Sequence, residues 1–284
     1  MPGDEPAPGQ GLVASGVTVR FGGVTVLDGA GLDAPPATVT GLIGPDGAGK
    51  STFLDVLAGL RRPSGGTVHL GGADVTSDSA GERARRGLVR ALPRPGTFAE
   101  SGALTVRESV QVAVEIHAMA RGTRRRWRRT ARRESGAGTG AAADELLARV
   151  GIAEHAGRRA GTVPAGVARL LGLARALAAE PAVLLLDEPL AGLPVPESRS
   201  LEVLLRDLAA EGPAVLLAEP DLEPVMGVCD VLHVLDHGRV VVSGPPALVR
   251  SDPRAGDARP GTAARSLPDR GGARSPDGAR SGVR

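Results

Sequence analysis

Lysine is nearly absent from this 284-residue chain: of its 34 lysines and arginines, only Lys50 is a lysine. Aromatic rings are scarce too, with three phenylalanines, one tryptophan and no tyrosine, so a ring-lined pocket has few residues to draw on. The single cysteine, Cys229, excludes an internal disulfide. The longest apolar runs, such as Ala182–Leu186 and Ala214–Ala218, span about five residues against the roughly 18 that a membrane-crossing helix needs, so no span is expected. Met1-Pro2-Gly3-Asp4-Glu5-Pro6 lacks the basic and apolar regions of a secretory leader, and a cytoplasmic location is the expectation. A dominant charge is missing as well. The 34 basic and 32 acidic residues leave a net charge of +2, which gives no global attraction to nucleic acid or lipid.

What is present is enough for a globular fold, since 42% of residues are apolar. After a Pro- and Gly-rich arm at residues 1–10, strand signals at Val17–Val19 and Val24–Leu27 flank a glycine turn. Val39–Ile43 reads as a strand and Ser51–Gly59 as a helix. Thr67–Leu70, a short helix at Ala80–Arg86 and a strand at Leu88–Leu92 follow. Thr105 and Glu108 have the spacing of a capping box, opening a helix to about Ala120 with Val106, Val110 and Val114 on one face. Eight arginines between Arg121 and Arg133 then break the pattern, and Arg121–Gly140 reads as a basic extension and linker. Helices are expected at Ala141–Val150, Val167–Ala179, Glu197–Ala210 and Asp221–Val228, with strands at Val183–Leu186, Ala214–Ala218, Val231–Leu235 and Arg239–Val242. From Ser251 onward only Leu267 and Val283 are large and apolar, so residues 251–284 are expected to be a disordered tail.

The chemistry concentrates in two places. Gly44-Pro45-Asp46-Gly47-Ala48-Gly49-Lys50-Ser51-Thr52 fits G-x-x-x-x-G-K-[ST], a loop whose backbone N–H groups face phosphate oxygens. Lys50, the sole lysine, would meet the β and γ phosphates, the helix that follows adds its positive end, and Ser51 would ligate Mg²⁺. The second place is Val183–Leu186 followed by Asp187-Glu188: an apolar strand delivers one carboxylate to the metal and a second, Glu188, to an attacking water as general base.

With these motifs the chain resembles the ATP-binding-cassette ATPases, most of all the importer subunits for branched-chain amino acids and similar solutes. The resemblance runs from about Leu12 to Leu248 and includes Arg20-Phe21-Gly22-Gly23, Leu104-Thr105-Val106-Arg107-Glu108, Ala174-Arg175-Ala176-Leu177, Asp187-Glu188-Pro189-Leu190-Ala191-Gly192-Leu193 and Val234–Val240. It implies an α/β P-loop NTPase fold. A RecA-like mixed sheet core, an antiparallel β subdomain and an inserted helical subdomain at about 100–180 would make up one domain over residues 11–250. It also implies that Phe21 stacks on adenine, that ATP and Mg²⁺ are the cofactors, and that the partners are transmembrane permease subunits and a second cassette ATPase. The subunit would sit at the cytoplasmic face of the plasma membrane.

The chain departs from its family at polar positions. The signature slot reads Val163-Pro164-Ala165-Gly166-Val167, in secure register because 187 − 164 = 23 is the family's spacing to the aspartate. Pro93 stands in the glutamine loop, Pro220 in the histidine position, Pro194 in the loop after Leu193, and Asp46 where asparagine is usual. His233 and His237 fall beyond the histidine slot. Nucleotide binding is therefore expected, with hydrolysis in doubt. Three readings follow: an importer subunit coupling MgATP binding to transport, a hydrolysis-deficient regulatory or structural subunit paired with an active ATPase, and a soluble cassette protein acting on nucleic acid. Only the Arg121–Arg133 segment supports the last, and no nucleic acid is expected.

Overall fold

The computed structural model of the chain describes residues 11–91, 104–120 and 138–257. Strands β1 (Leu12–Phe21) and β2 (Val24–Ala34) form an antiparallel hairpin, and β1 also pairs with β4 (Gly65–Leu70), which pairs with the short β5 (Ala73–Asp74). The resulting order is β2-β1-β4-β5.

The second sheet has β3 (Val39–Ile43) near its middle. It joins β6 (Leu88–Ala91), β7 (Val183–Asp187), β8 (Ala214–Glu219), β9 (Val231–Asp236) and β10 (Arg239–Gly244) in the order β10-β9-β3-β8-β7-β6. All neighbours are parallel except β9 and β10. Such strands are buried on both faces and read as continuous apolar runs. Alternate residues serve different cores. Leu184, Leu186, Val215 and Leu217 face one, while Val183, Leu185, Ala214 and Leu216 face the other.

Helix α1 (Lys50–Leu57) lies in the second core with Phe53, Leu54 and Leu57, between the two sheets. The first core collects α3 (Val106–Ala120), α4 (138–149), α5 (Ala165–Leu177) and α6 (Val195–Ala210). The helix α2 (Ala80–Arg85) precedes β6, and α7 (Pro246–Ser251) and α8 (Pro253–Asp257) follow β10. Helices α3, α4 and α5 all fall between β6 and β7 in the chain, as an inserted helical segment requires. Among the described residues no helix is long and apolar enough to cross a membrane.

Several boundaries differ from expectation. The hairpin strands are longer than expected, β1 starting at Leu12 and β2 running on to Ala34, because backbone pairing carries β2 through Gly29 and Gly31 with register shifts along β1. The linker expected up to Gly140 ends earlier, since helix already exists at residue 138. Asp221–Val228 contains only a single 3-10 turn, Glu223–Val225, started by Pro224. The tail expected to be disordered from Ser251 is helical at Pro253–Asp257, where Ala255 is buried against the first core. The arm at residues 1–10, Pro93, Arg121–Arg133 with Trp127, and the tail beyond residue 257 lie outside the described residues.

Candidate nucleotide site

Because β3, β6, β7 and β8 are parallel, their C-terminal ends share one edge of the sheet, where ligand crevices of such sheets form. Ile43 pairs with Glu219 and Asp187 with Ala218, so the loop after β3, the Asp187-Glu188 pair and the end of β8 come together there.

The Gly44–Thr52 loop needs two of its glycines sterically. A Cβ on Gly44 would stand 2.0 Å from the carbonyl oxygen of Leu235, and Gly49 has φ 106°. Gly49 is also the N-cap of α1 and supplies no side chain, so the first-turn N–H groups of the helix have no side-chain cap. Lys50 is 5% exposed, and its Nζ donates to the carbonyls of Gly44 at 2.6 Å and Pro45 at 3.1 Å. Asp46 and Gly47 are exposed at the tip, and Ala48 is buried with its N–H on Pro45 O. Ser51 Oγ donates to Asp187 Oδ1 at 3.4 Å, and Thr52 follows half-buried.

An uncapped helix start with a buried lysine beside it suits an anion. The Ser51 and Asp187 oxygens suit a hard divalent cation that also takes phosphate and water. Among the described residues no set of three His, Cys, Asp or Glu side chains could hold a metal alone, so a bound metal would depend on the nucleotide.

Glu188 takes φ 49°, an unusual value for a non-glycine residue, and its N–H donates to Ala218 O. Two residues that the sequence did not single out for this role hold the loop that follows. Glu219 accepts from Leu190 N–H at 2.6 Å, and Arg169 of α5 donates to Pro189 O and Ala191 O at 3.3 and 2.8 Å. Glu219 is 1% exposed. Burial, reinforced by the neighbouring Glu188 charge and opposed by the Leu190 hydrogen bond, pushes its carboxyl up to about 7. A third missed residue, Arg90 on β6, pairs with both Asp187 and Asp55. All three sit in strands or helices whose apolar patterns conceal them. The usable signal was a charged residue inside an apolar strand, as at Arg90 and Glu219.

Phe21 is 42% exposed at the hairpin tip, and Arg61 lies over its ring at 4.2 Å, so one ring face is covered. The proline substitutions land at element starts: Pro164 and Pro194 are the residues before α5 and α6. Pro220 follows β8 directly. His233 is buried within the sheet, with Nδ1 against Ser243 Oγ and Nε2 against Asp33 O.

A profile of the family described as "ABC transporter" matches residues 27–191. The high-affinity branched-chain amino acid transport ATP-binding protein BraF of Pseudomonas aeruginosa is 34% identical over 243 residues, covering 85% of this chain and 94% of that protein. LivG of Escherichia coli, which carries the same description, is 34% identical over 245 residues with the same coverage. Among solved structures, the ADP conformation of MJ1267, an ATP-binding cassette of an ABC transporter, superposes with a TM-score of 0.73 at 25% identity, covering 88% of this chain and 98% of that one.

Proposed function

The chain belongs to the ATP-binding-cassette family as an ATP-binding subunit of an ABC transporter, and from that premise we propose that it serves an importer of branched-chain amino acids or similar solutes, binding MgATP with little hydrolysis of its own. The observation that carries the binding is the convergence of a buried Lys50, the uncapped start of α1 and the Ser51–Asp187 pair at one sheet edge. Gly44, Pro45, Asp46, Gly47, Ala48, Gly49 and Thr52 would shape the cradle, with Lys50 on the phosphates. Ser51 and Asp187 would hold Mg²⁺, which would neutralise phosphate charge. Phe21 would take the adenine on the ring face that Arg61 leaves free.

The low turnover rests on chemistry at the same edge. Glu188 would act as the base, yet the residue after β8 is Pro220, which has no side-chain donor or acceptor. Val163, Pro164 and Ala165 likewise offer no hydroxyl at the start of α5, and the hydroxyl of Thr162 donates to Arg159 O. The subunit would therefore work against permease subunits at the cytoplasmic membrane face, paired with a more complete cassette whose signature covers this chain's loop. A regulatory or structural role without hydrolysis in this subunit, paired with an active ATPase, is the second reading, favoured by the same prolines.

Binding of a fluorescent ATP analogue and phosphate release by the purified subunit test the proposal together. Saturable Mg²⁺-dependent binding that Lys50→Ala abolishes, with phosphate release near background, is expected. Robust release that Glu188→Gln removes would overturn the low-turnover half, and binding indifferent to Lys50→Ala would overturn the site.

A further inference from the structure

Arg90 lies on β6, the edge strand of the larger sheet, opposite Leu185 of β7. Its side chain is 8% exposed, and its two terminal nitrogens are divided between carboxylates on different elements. Nη2 donates to Asp187 Oδ2 at 2.7 Å and Nη1 to Asp55 Oδ1 of α1, while Nε is buried without a hydrogen-bond partner.

A buried guanidinium is costly to desolvate, and an arginine serving only to brace the fold has cheaper partners. Arg83 illustrates that case. It is buried and spends its donors on the carbonyls of Val56, Leu57 and Thr76. Arg90 instead takes one oxygen of Asp187, whose other oxygen faces Ser51 at 3.4 Å. Ser51 and Asp55 lie four residues apart on α1, so Ser51, Asp187, Arg90 and Asp55 form one continuous chain of polar contacts.

A fixed cation on a metal-facing carboxylate repels the metal and reduces the negative charge available to it, whereas the second carboxylate on that cation draws part of its field away. We infer that Arg90 is a built-in competitor of the metal at Asp187, with Asp55 moderating it. Arg90 is a positioning residue that acts through Asp187: it neutralises the carboxylate in the metal-free chain and limits how much the metal adds to nucleotide affinity. The inference rests on the reading of Gly44–Thr52 as the nucleotide loop and of Ser51 with Asp187 as the metal pair.

The quantity to measure is the ratio of the dissociation constants of a fluorescent ATP analogue in EDTA and in excess Mg²⁺, which isolates the metal's contribution by linkage. Arg90→Gln is expected to raise that ratio about tenfold, and Asp55→Asn, which leaves Arg90 facing Asp187 alone, to lower it. Opposite signs separate competition from bracing, because loss of a brace lowers the ratio in both variants. A ratio unchanged or lowered in folded Arg90→Gln overturns the inference. If circular dichroism shows that Arg90→Gln does not fold, the double variant Arg90→Gln/Asp55→Asn, which removes the cation together with its second partner, replaces it: a raised ratio supports competition, and an unchanged or lowered ratio overturns it. A wild-type chain that binds the analogue in neither buffer overturns the nucleotide reading along with the inference. Tight Mg²⁺-dependent binding with unchanged ratios in both variants overturns the inference only.

Discussion

At the scale of single residues, Glu219 shows how position decides chemistry. On an exposed loop it would be an ordinary carboxylate, but at the end of β8 it is enclosed beside Glu188, and its carboxyl is pushed up to about 7. The unfolded chain releases that proton near 4.5, the ordinary value of a glutamate, so between there and about 7 the folded state binds more protons than the unfolded state. Stability from this group is therefore complete below the unfolded value and is lost as pH rises through the folded one, a change on the order of 3 kcal/mol. Urea unfolding of the wild type and Glu219→Gln at pH 5 and pH 8 checks the sign: the wild type should lose ground to the variant as pH rises. A parallel response in the two proteins would show that the carboxyl ionises normally. The residue-scale content of the phosphate loop was legible because its spacing is local and its lysine is unique. The partners of Glu219, Arg169 and Arg90 were not, since each lies at least 20 residues away along the chain.

The secondary-structure elements owe their starts to side chains the sequence displays openly. Thr105 and Glu108 form the expected reciprocal cap on α3: the Glu108 carboxylate accepts from Thr105 N–H at 2.8 Å, and Thr105 Oγ1 accepts from Glu108 N–H at 3.2 Å. Ser79 and Glu82 do the same for α2. Thr105→Ala should cost about 1 kcal/mol, measured as a lower urea midpoint with an unchanged slope. Glu108→Gln should cost less, because an amide oxygen still accepts from the Thr105 backbone. Pro164 and Pro194 add a different kind of start. A residue that precedes a helix needs no N–H of its own, so the prolines that remove polar chemistry from those slots also define where α5 and α6 begin. That is why both helices open two residues earlier than apolar periodicity alone suggested. The hairpin was the least legible element. Its glycines argue against strand locally, and only pairing with β1 carries β2 to Ala34.

For the molecule as a whole, the larger sheet divides the interior, with α1 and the antiparallel sheet on one side and helices α3 to α6 on the other. Leu185 belongs to the α1 side and is fully buried. Leu185→Ala should cost about 3 kcal/mol through the cavity it leaves. Saturating MgATP should recover part of the lost melting temperature, because a ligand that binds only the folded chain stabilises it by mass action. Thermal melts with and without MgATP would read both effects, and a variant melting like the wild type would contradict the packing described. The sequence by itself determined the family, the P-loop α/β class, the phosphate loop and the Asp187-Glu188 pair, because each rests on a short run of residues whose spacing is the chemistry. Only the tertiary structure decided which charges meet at that loop. The parallel alignment of β3, β6, β7 and β8 brings Lys50, Arg90, Asp187 and Glu219 to one edge from residues up to 169 positions apart (219 − 50 = 169), and burial there sets the energies with which they interact.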